Sequence, residues 1–119
     1  MMRALLLVFL LVAQSALAGE ADVVDVKVRR NSSGTFDFDV TVKSVDKGWN
    51  HYADAFEVLG PDGTVLGRRI LYHPHETEQP FTRDLYGVKI PAGIMHVTVR
   101  ARHKPKGYEG ATMSVPLPR

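Results

Sequence analysis

His73-Pro74-His75 is the stretch of this chain with the most evident chemistry, and Glu76 and Glu78 follow it directly. On an extended backbone, residues i and i+2 point to the same side, with Cα atoms about 6.5 Å apart. Pro74 favours that extended form, because its ring disfavours the helical region for His73. Two imidazoles on one side can grip copper(II), zinc or nickel, and a carboxylate such as Glu76 can add an oxygen. The remaining histidines stand at positions 51, 96 and 103. Strand parity turns His96 to solvent, whereas His51 and His103 fall near strand ends, where they can approach the crossing loop. The candidate metal ligands are therefore His73, His75, His51, His103 and Glu76, with copper or zinc as the ion. A simpler reading competes with this one: Pro74 and Pro80 stiffen a crossing between two strands and guard a sheet edge from aggregation. Other metal signatures do not occur. There is no HExxH, Gly19-Glu20-Ala21 lacks a histidine at its third position, and no methionine-rich box is present.

Two further clusters carry functional side chains. In Trp49-Asn50-His51-Tyr52-Ala53-Asp54, the aromatic residues are expected to pack the core, and Asp54 is placed to fix the His51 tautomer through a hydrogen bond. In Gln79-Pro80-Phe81-Thr82-Arg83, Phe81 is read as the anchor of the crossing and Arg83 as a partner for Asp84 or another acid. The same two residues can instead meet a ligand, and Tyr108, near Gly107 and Gly110, suits a loop tip. Phe81, Arg83 and Tyr108 are thus the candidate interaction residues. Enzyme chemistry finds no support: there is no G-x-S-x-G, no phosphate-cradling glycine loop, and the carboxylates are dispersed. The expectation is a protein that is not an enzyme.

The elements that must position these residues follow from period-two alternation. Val24, Val26 and Val28 alternate with charged residues. Phe36, Phe38, Val40 and Val42 do the same after the turn Asn31-Ser32-Ser33-Gly34. A helix would place Phe36 and Phe38 about 200° apart, so these are strands with one wet face. Asp46-Lys47-Gly48 turns the chain into a strand over 49–59. Gly60-Pro61-Asp62-Gly63 returns it over 64–72, with Gly67 as a candidate bulge. The crossing over 71–83 leads to a short strand at 85–90, a turn at 91–93 and a strand at 95–101. A loop over 104–110 precedes a last strand at 111–117, which Pro116 and Pro118 confine to an edge. The fold class is all-β, an antiparallel immunoglobulin-like or fibronectin type III-like β-sandwich of about seven strands.

Composition sets the compartment. Arg3, the apolar run Ala4–Ala13 and the small residues of Ser15-Ala16-Leu17-Ala18 have the form of a secretory signal peptide over 1–18, cut after Ala18. Residues 19–119 then form a single domain. Loss of Arg3 leaves 14 Lys and Arg against 13 Asp and Glu. That balance is too even, and too scattered, for nucleic acid. Cysteine is absent, which removes disulfides, thiol catalysis and the lipid-anchored form of the leader. No other stretch is apolar enough to remain in a membrane after cleavage. The expected location is the periplasm or the secreted medium.

The tail "VKIPAGIMHVTVRARHKPKGYEGATMSVPL" resembles the last two strands of a fibronectin type III or related immunoglobulin-like module, with His96 where tyrosine is usual there. The W-x-H-Y-A-D stretch from Trp49 and the H-P-H-x-x-E-Q-P-F-T-R stretch from His73 are similar to a group of small secreted bacterial proteins. That resemblance implies a periplasmic immunoglobulin-like domain and brings no activity with it. Together these readings favour a non-enzymatic periplasmic module that binds another periplasmic protein through loops 72–84 and 103–110. The alternative is a periplasmic copper- or zinc-binding protein that uses the His-Pro-His loop.

Overall fold

The computed structural model describes residues 18–119. The leader expected over 1–18 lies almost wholly outside the described residues. Seven antiparallel strands form two packed sheets: β1 (Ala21–Arg30), β2 (Phe36–Ser44), β3 (Tyr52–Leu59), β4 (Val65–Ile70), β5 (Phe81–Val88), β6 (His96–Lys104) and β7 (Met113–Pro116). One sheet has the order β1-β2-β5 and the other β4-β3-β6-β7. The all-β sandwich read from the alternation is the observed architecture. The last strand lies at an edge and ends at Pro116, with Pro118 just beyond it.

Phe36, Phe38, Val40 and Val42 of β2 are buried beside Phe81 of β5 in the same sheet, with Phe56 and Val58 of β3 and Val97, Val99 and Ala101 of β6 in the other sheet. These side chains form the core between the sheets. Each large one contributes roughly 1.5–3 kcal/mol by leaving water. With no cross-link available, this burial and the strand ladders hold the domain together.

Two departures from strict alternation matter. In β1 the register shifts between Val23 and Asp25, so Val23 is buried while Val24 is exposed. Alternation alone put Val24 inward; the bulge moves Ala21 and Val23 into the core and hands over to Val26 and Val28 beyond it. In β5 the strand begins at Phe81, earlier than residue 85, and a shift opposite Phe36 and Phe38 places Gly87 at φ 72°. The amide of Gly87 there donates to Asp37 Oδ1 (2.9 Å).

Gly67 has the bulge beside it, since Val58 pairs with Gly67 but Leu59 pairs with Val65. Its role is also steric. A Cβ at this position would meet Leu85 Cδ2 at 3.1 Å and the two methyls of Val88 at 3.2 and 3.3 Å. Glycine lets β4 lie close to β5 at the open side of the sandwich. Gly67→Ala is therefore expected to cost about 1–3 kcal/mol through overpacking. Urea denaturation should show a lower midpoint with an unchanged slope; an unchanged midpoint would show that β4 yields freely.

Candidate functional site

One end of the sandwich collects the loop 45–51, the crossing 71–80 and the end of β6. Asp46 joins them. Its carboxylate is fully buried and accepts from Ser44 Oγ (2.7 Å), from the amide of Ala53 (3.0 Å) and from the amide of His75 (2.7 Å). The turn that presents it closes through Lys47 N to His51 O (2.7 Å), with Gly48 at φ 90°. A residue with a Cβ would be strained at that angle. Gln79 adds a second clamp. Its oxygen accepts from the amide of Ser44 (2.8 Å), and its nitrogen donates to the carbonyl of His75 (2.8 Å). The sequence marked Asp46 as a turn residue only and assigned Gln79 nothing. Their most distant partners lie 29 and 35 residues away, beyond any local pattern.

The His73–His75 pair is brought together as its spacing requires, with ring centroids 4.6 Å apart. The two rings differ in environment. His75 is 6% exposed and stacks on Phe81 at 4.0 Å, and neither ring nitrogen has a hydrogen-bond partner among the described residues. His73 is exposed, with Nδ1 3.1 Å from the carbonyl of Pro74. Glu76 is exposed as well. The crossing therefore uses His75 as a core ring. Burial, with smaller help from the charges of Arg83 and His73, pushes the His75 pKa below its ordinary value of 6.5.

His51 and His103 meet separately. His103 sits on the inward face of β6, continuing Val97, Val99 and Ala101, and is 1% exposed. Parity alone could have placed it there. Its Nε2 is 3.2 Å from the carbonyl of Val45, and its Nδ1 has no partner. The His51 ring packs edge-on at 4.4 Å, and His51 Nε2 lies 3.1 Å from Glu20 Oε1. Among the described residues, Glu20, His51 and His103 form a grouping in which one donor atom from each lies within 4.8 Å of the others. His73, His75 and Glu76 are not drawn into it. Sequence reasoning found His51 and His103 but not Glu20, which precedes β1 and is held by Val45 N donating to its carbonyl (2.9 Å).

Other expectations are corrected. Asp54 does not serve His51; it binds Arg102 through both oxygens (2.9 and 3.0 Å). The register shift between Ala53 and Ala55 makes Asp54 the extra residue opposite β6. Trp49 does not pack the core and is 62% exposed, edge-on to Tyr52 at 5.9 Å. Phe81 is buried at the base of the crossing, so it offers no surface for a partner. Arg83 does pair with a surface acid, Glu78 (3.0 Å), and lies 5.6 Å above the Phe81 ring. Tyr108 keeps an exposed edge but donates its hydroxyl to Glu57 Oε2 (2.9 Å).

Glu57 is the residue that alternation could not explain, lying between Phe56 and Val58 yet fully buried. It faces the outer side of its sheet, where the register sets Arg68 of β4 and Arg100 of β6 directly opposite. Arg68 Nε donates to Oε2 (2.6 Å) and Arg100 Nε to Oε1 (2.9 Å). The guanidinium of Arg100 lies 3.7 Å over the Tyr108 ring and closes the lid. Burial works to raise the Glu57 pKa, but the donors from Arg100, Arg68 and Tyr108 outweigh it and hold the group below 4.5.

A protein of Halomicrobium mukohataei named "Putative lipoprotein" is 40% identical to this chain over 96 residues, which are 81% of the chain and 47% of that protein. The chain thus spans about half the length of that relative. No protein-family model matches, and no solved structure matches. No helix among the described residues is long and apolar enough to cross a membrane.

Two stability outcomes follow. Glu57→Gln should cost about 1.5–3 kcal/mol, because the charge-assisted hydrogen bonds from two partly exposed guanidinium groups become bonds to a neutral amide. Thermal unfolding would show it, and a loss under about 1 kcal/mol would mean the arginines find water instead. His75 gives a pH dependence of known sign. Its folded pKa lies below the unfolded 6.5, so the unfolded chain binds the proton first. The stability contribution is fully present above about pH 6.5 and falls as pH drops from there towards the folded value. Denaturant titrations should show this fall reduced in His75→Phe; identical pH profiles would refute the assignment.

Proposed function

We propose that this chain is a non-enzymatic, exported β-sandwich module that binds another extracytoplasmic protein through its histidine end. The observation that carries the reading is the display of Trp49, 62% exposed, and Tyr72, 76% exposed, on the two loops that Asp46 and Gln79 lock together. Rigid aromatic side chains on a fixed backbone give contact area at low entropic cost, and such residues dominate binding energy at interfaces. Loops on a stiff sandwich are the usual carriers of such contacts.

The leader pattern supports export, as does the lipoprotein name of the Halomicrobium mukohataei relative. These 119 residues contain no cysteine to carry a thioether-linked lipid. The non-enzymatic reading is supported by the engagement of its charged groups. Glu57, Asp54 and Asp84 are all tied to arginines. The division of seven antiparallel strands into three and four supports the immunoglobulin-like assignment.

The test is site-specific photo-cross-linking in cells that export the full chain. A photoreactive phenylalanine analogue at position 49 or 72 should yield one discrete adduct of the same size. The same group at Asp62, in the exposed turn at the far end of β3, should yield none. Absence of any adduct at 49 and 72, or equal labelling at all three positions, would overturn the reading.

A further inference from the structure

We propose that Glu20, His51 and His103 form a binding site for a divalent transition ion of the zinc and copper kind. The site goes beyond the partner surface proposed above: it shares that end of the sandwich, but neither Trp49 nor Tyr72 belongs to it. Two observations carry it, and they are separate from each other.

The first is the spacing. Two imidazoles and a carboxylate offer one donor atom each within 4.8 Å of one another. Donors around a tetrahedral zinc stand about 3.3 Å apart, given bonds of about 2.0–2.2 Å. The His51 Nε2 to Glu20 Oε1 edge, at 3.1 Å, is already at that separation. His51 and Glu20 are partly exposed, with side-chain exposures of 28% and 32%, so they can close on an ion and an ion can enter. His103 supplies the fixed wall.

The second is the state of His103. This ring is buried, and its Nε2 lies against the carbonyl of Val45 at 3.2 Å. A carbonyl accepts only, so Nε2 carries the proton and donates it. In the neutral imidazole a proton on Nε2 leaves Nδ1 as a bare lone pair, and Nδ1 has no hydrogen-bond partner among the described residues. An unmet buried acceptor of this kind is costly. A ligating histidine shows the same arrangement: one nitrogen fixed by a backbone carbonyl, the other free for the metal. The carbonyl that orients it belongs to Val45, whose amide also holds the backbone of Glu20. One residue thus positions two of the three ligands.

Nitrogen and oxygen donors without sulfur suit zinc or copper(II) rather than copper(I), and three protein ligands leave a position open. The grouping does not use the His73-Pro74-His75 stretch, where His75 is committed to Phe81.

Calorimetric titration of the exported, purified protein with zinc chloride and then copper chloride tests the site. The expected result is one equivalent bound with Kd below about 10 μM, together with a rise in Tm that a chelator reverses. His51→Ala and Glu20→Gln should each weaken binding at least tenfold, and His73→Ala should leave it unchanged. Glu20→Gln keeps the carboxylate's shape on a partly exposed residue, so it reports on the site even if His51→Ala folds poorly. Cobalt(II) loading should give the intense visible absorption of a tetrahedral ion. Failure of both ions to bind below about 10 μM overturns the proposal, as does loss on His73→Ala equal to that on His51→Ala.

Discussion

The carboxylate of Asp46 is the contact on which the working end of this molecule depends. It accepts a hydroxyl proton from β2, an amide proton from the start of β3 and an amide proton from the crossing that leads to β5. Those three segments belong to different parts of both sheets. A buried carboxylate is stable only when its oxygens are met by donors, and here the donors are mostly backbone groups that would otherwise lack partners. One side chain therefore settles the hydrogen bonding of two irregular loops at once. Gln79 repeats the logic from the other side, joining Ser44 to His75.

Because those loops are fixed, the histidines around them occupy defined environments. His75 is drawn under the crossing and stacked on Phe81, where it completes the core. His103 is buried one strand away, with one nitrogen held by Val45 and the other left unmet. The same end of the sandwich therefore holds one imidazole used for packing and one whose remaining valence is unspent. The exposed aromatic residues Trp49 and Tyr72 project from the backbone these contacts hold.

The outer face of the four-stranded sheet follows a different principle. β3 is an inner strand, and its position 57 is covered on both sides by neighbours. A carboxylate there survives because the ladder places an arginine from each adjacent strand opposite it. Tyr108 and Arg100 then cover the group. A carboxylate flanked in sequence by two core side chains is thus a buried ionic centre. That centre ties the loop after β6 to the middle of the sheet.

Much of this architecture was legible in the order of the residues. Period-two alternation in Phe36–Val42 and Val97–Ala101 dictated strands with one apolar face, and proline and glycine marked the turns. The lack of cysteine dictated a domain held by packing alone. Parity along β6 even points to the burial of His103, which continues the inward series. What tertiary structure alone decided was which side chains meet. Glu20 reaches His51 across 31 residues, and Arg100 reaches Glu57 across 43. Such meetings depend on strand order and register, and a shift of one residue turns a strand's side chains to the opposite face. The bulges at Val24, Asp54 and Leu66 make shifts of that kind, so local pattern could place the strands but not pair their contents.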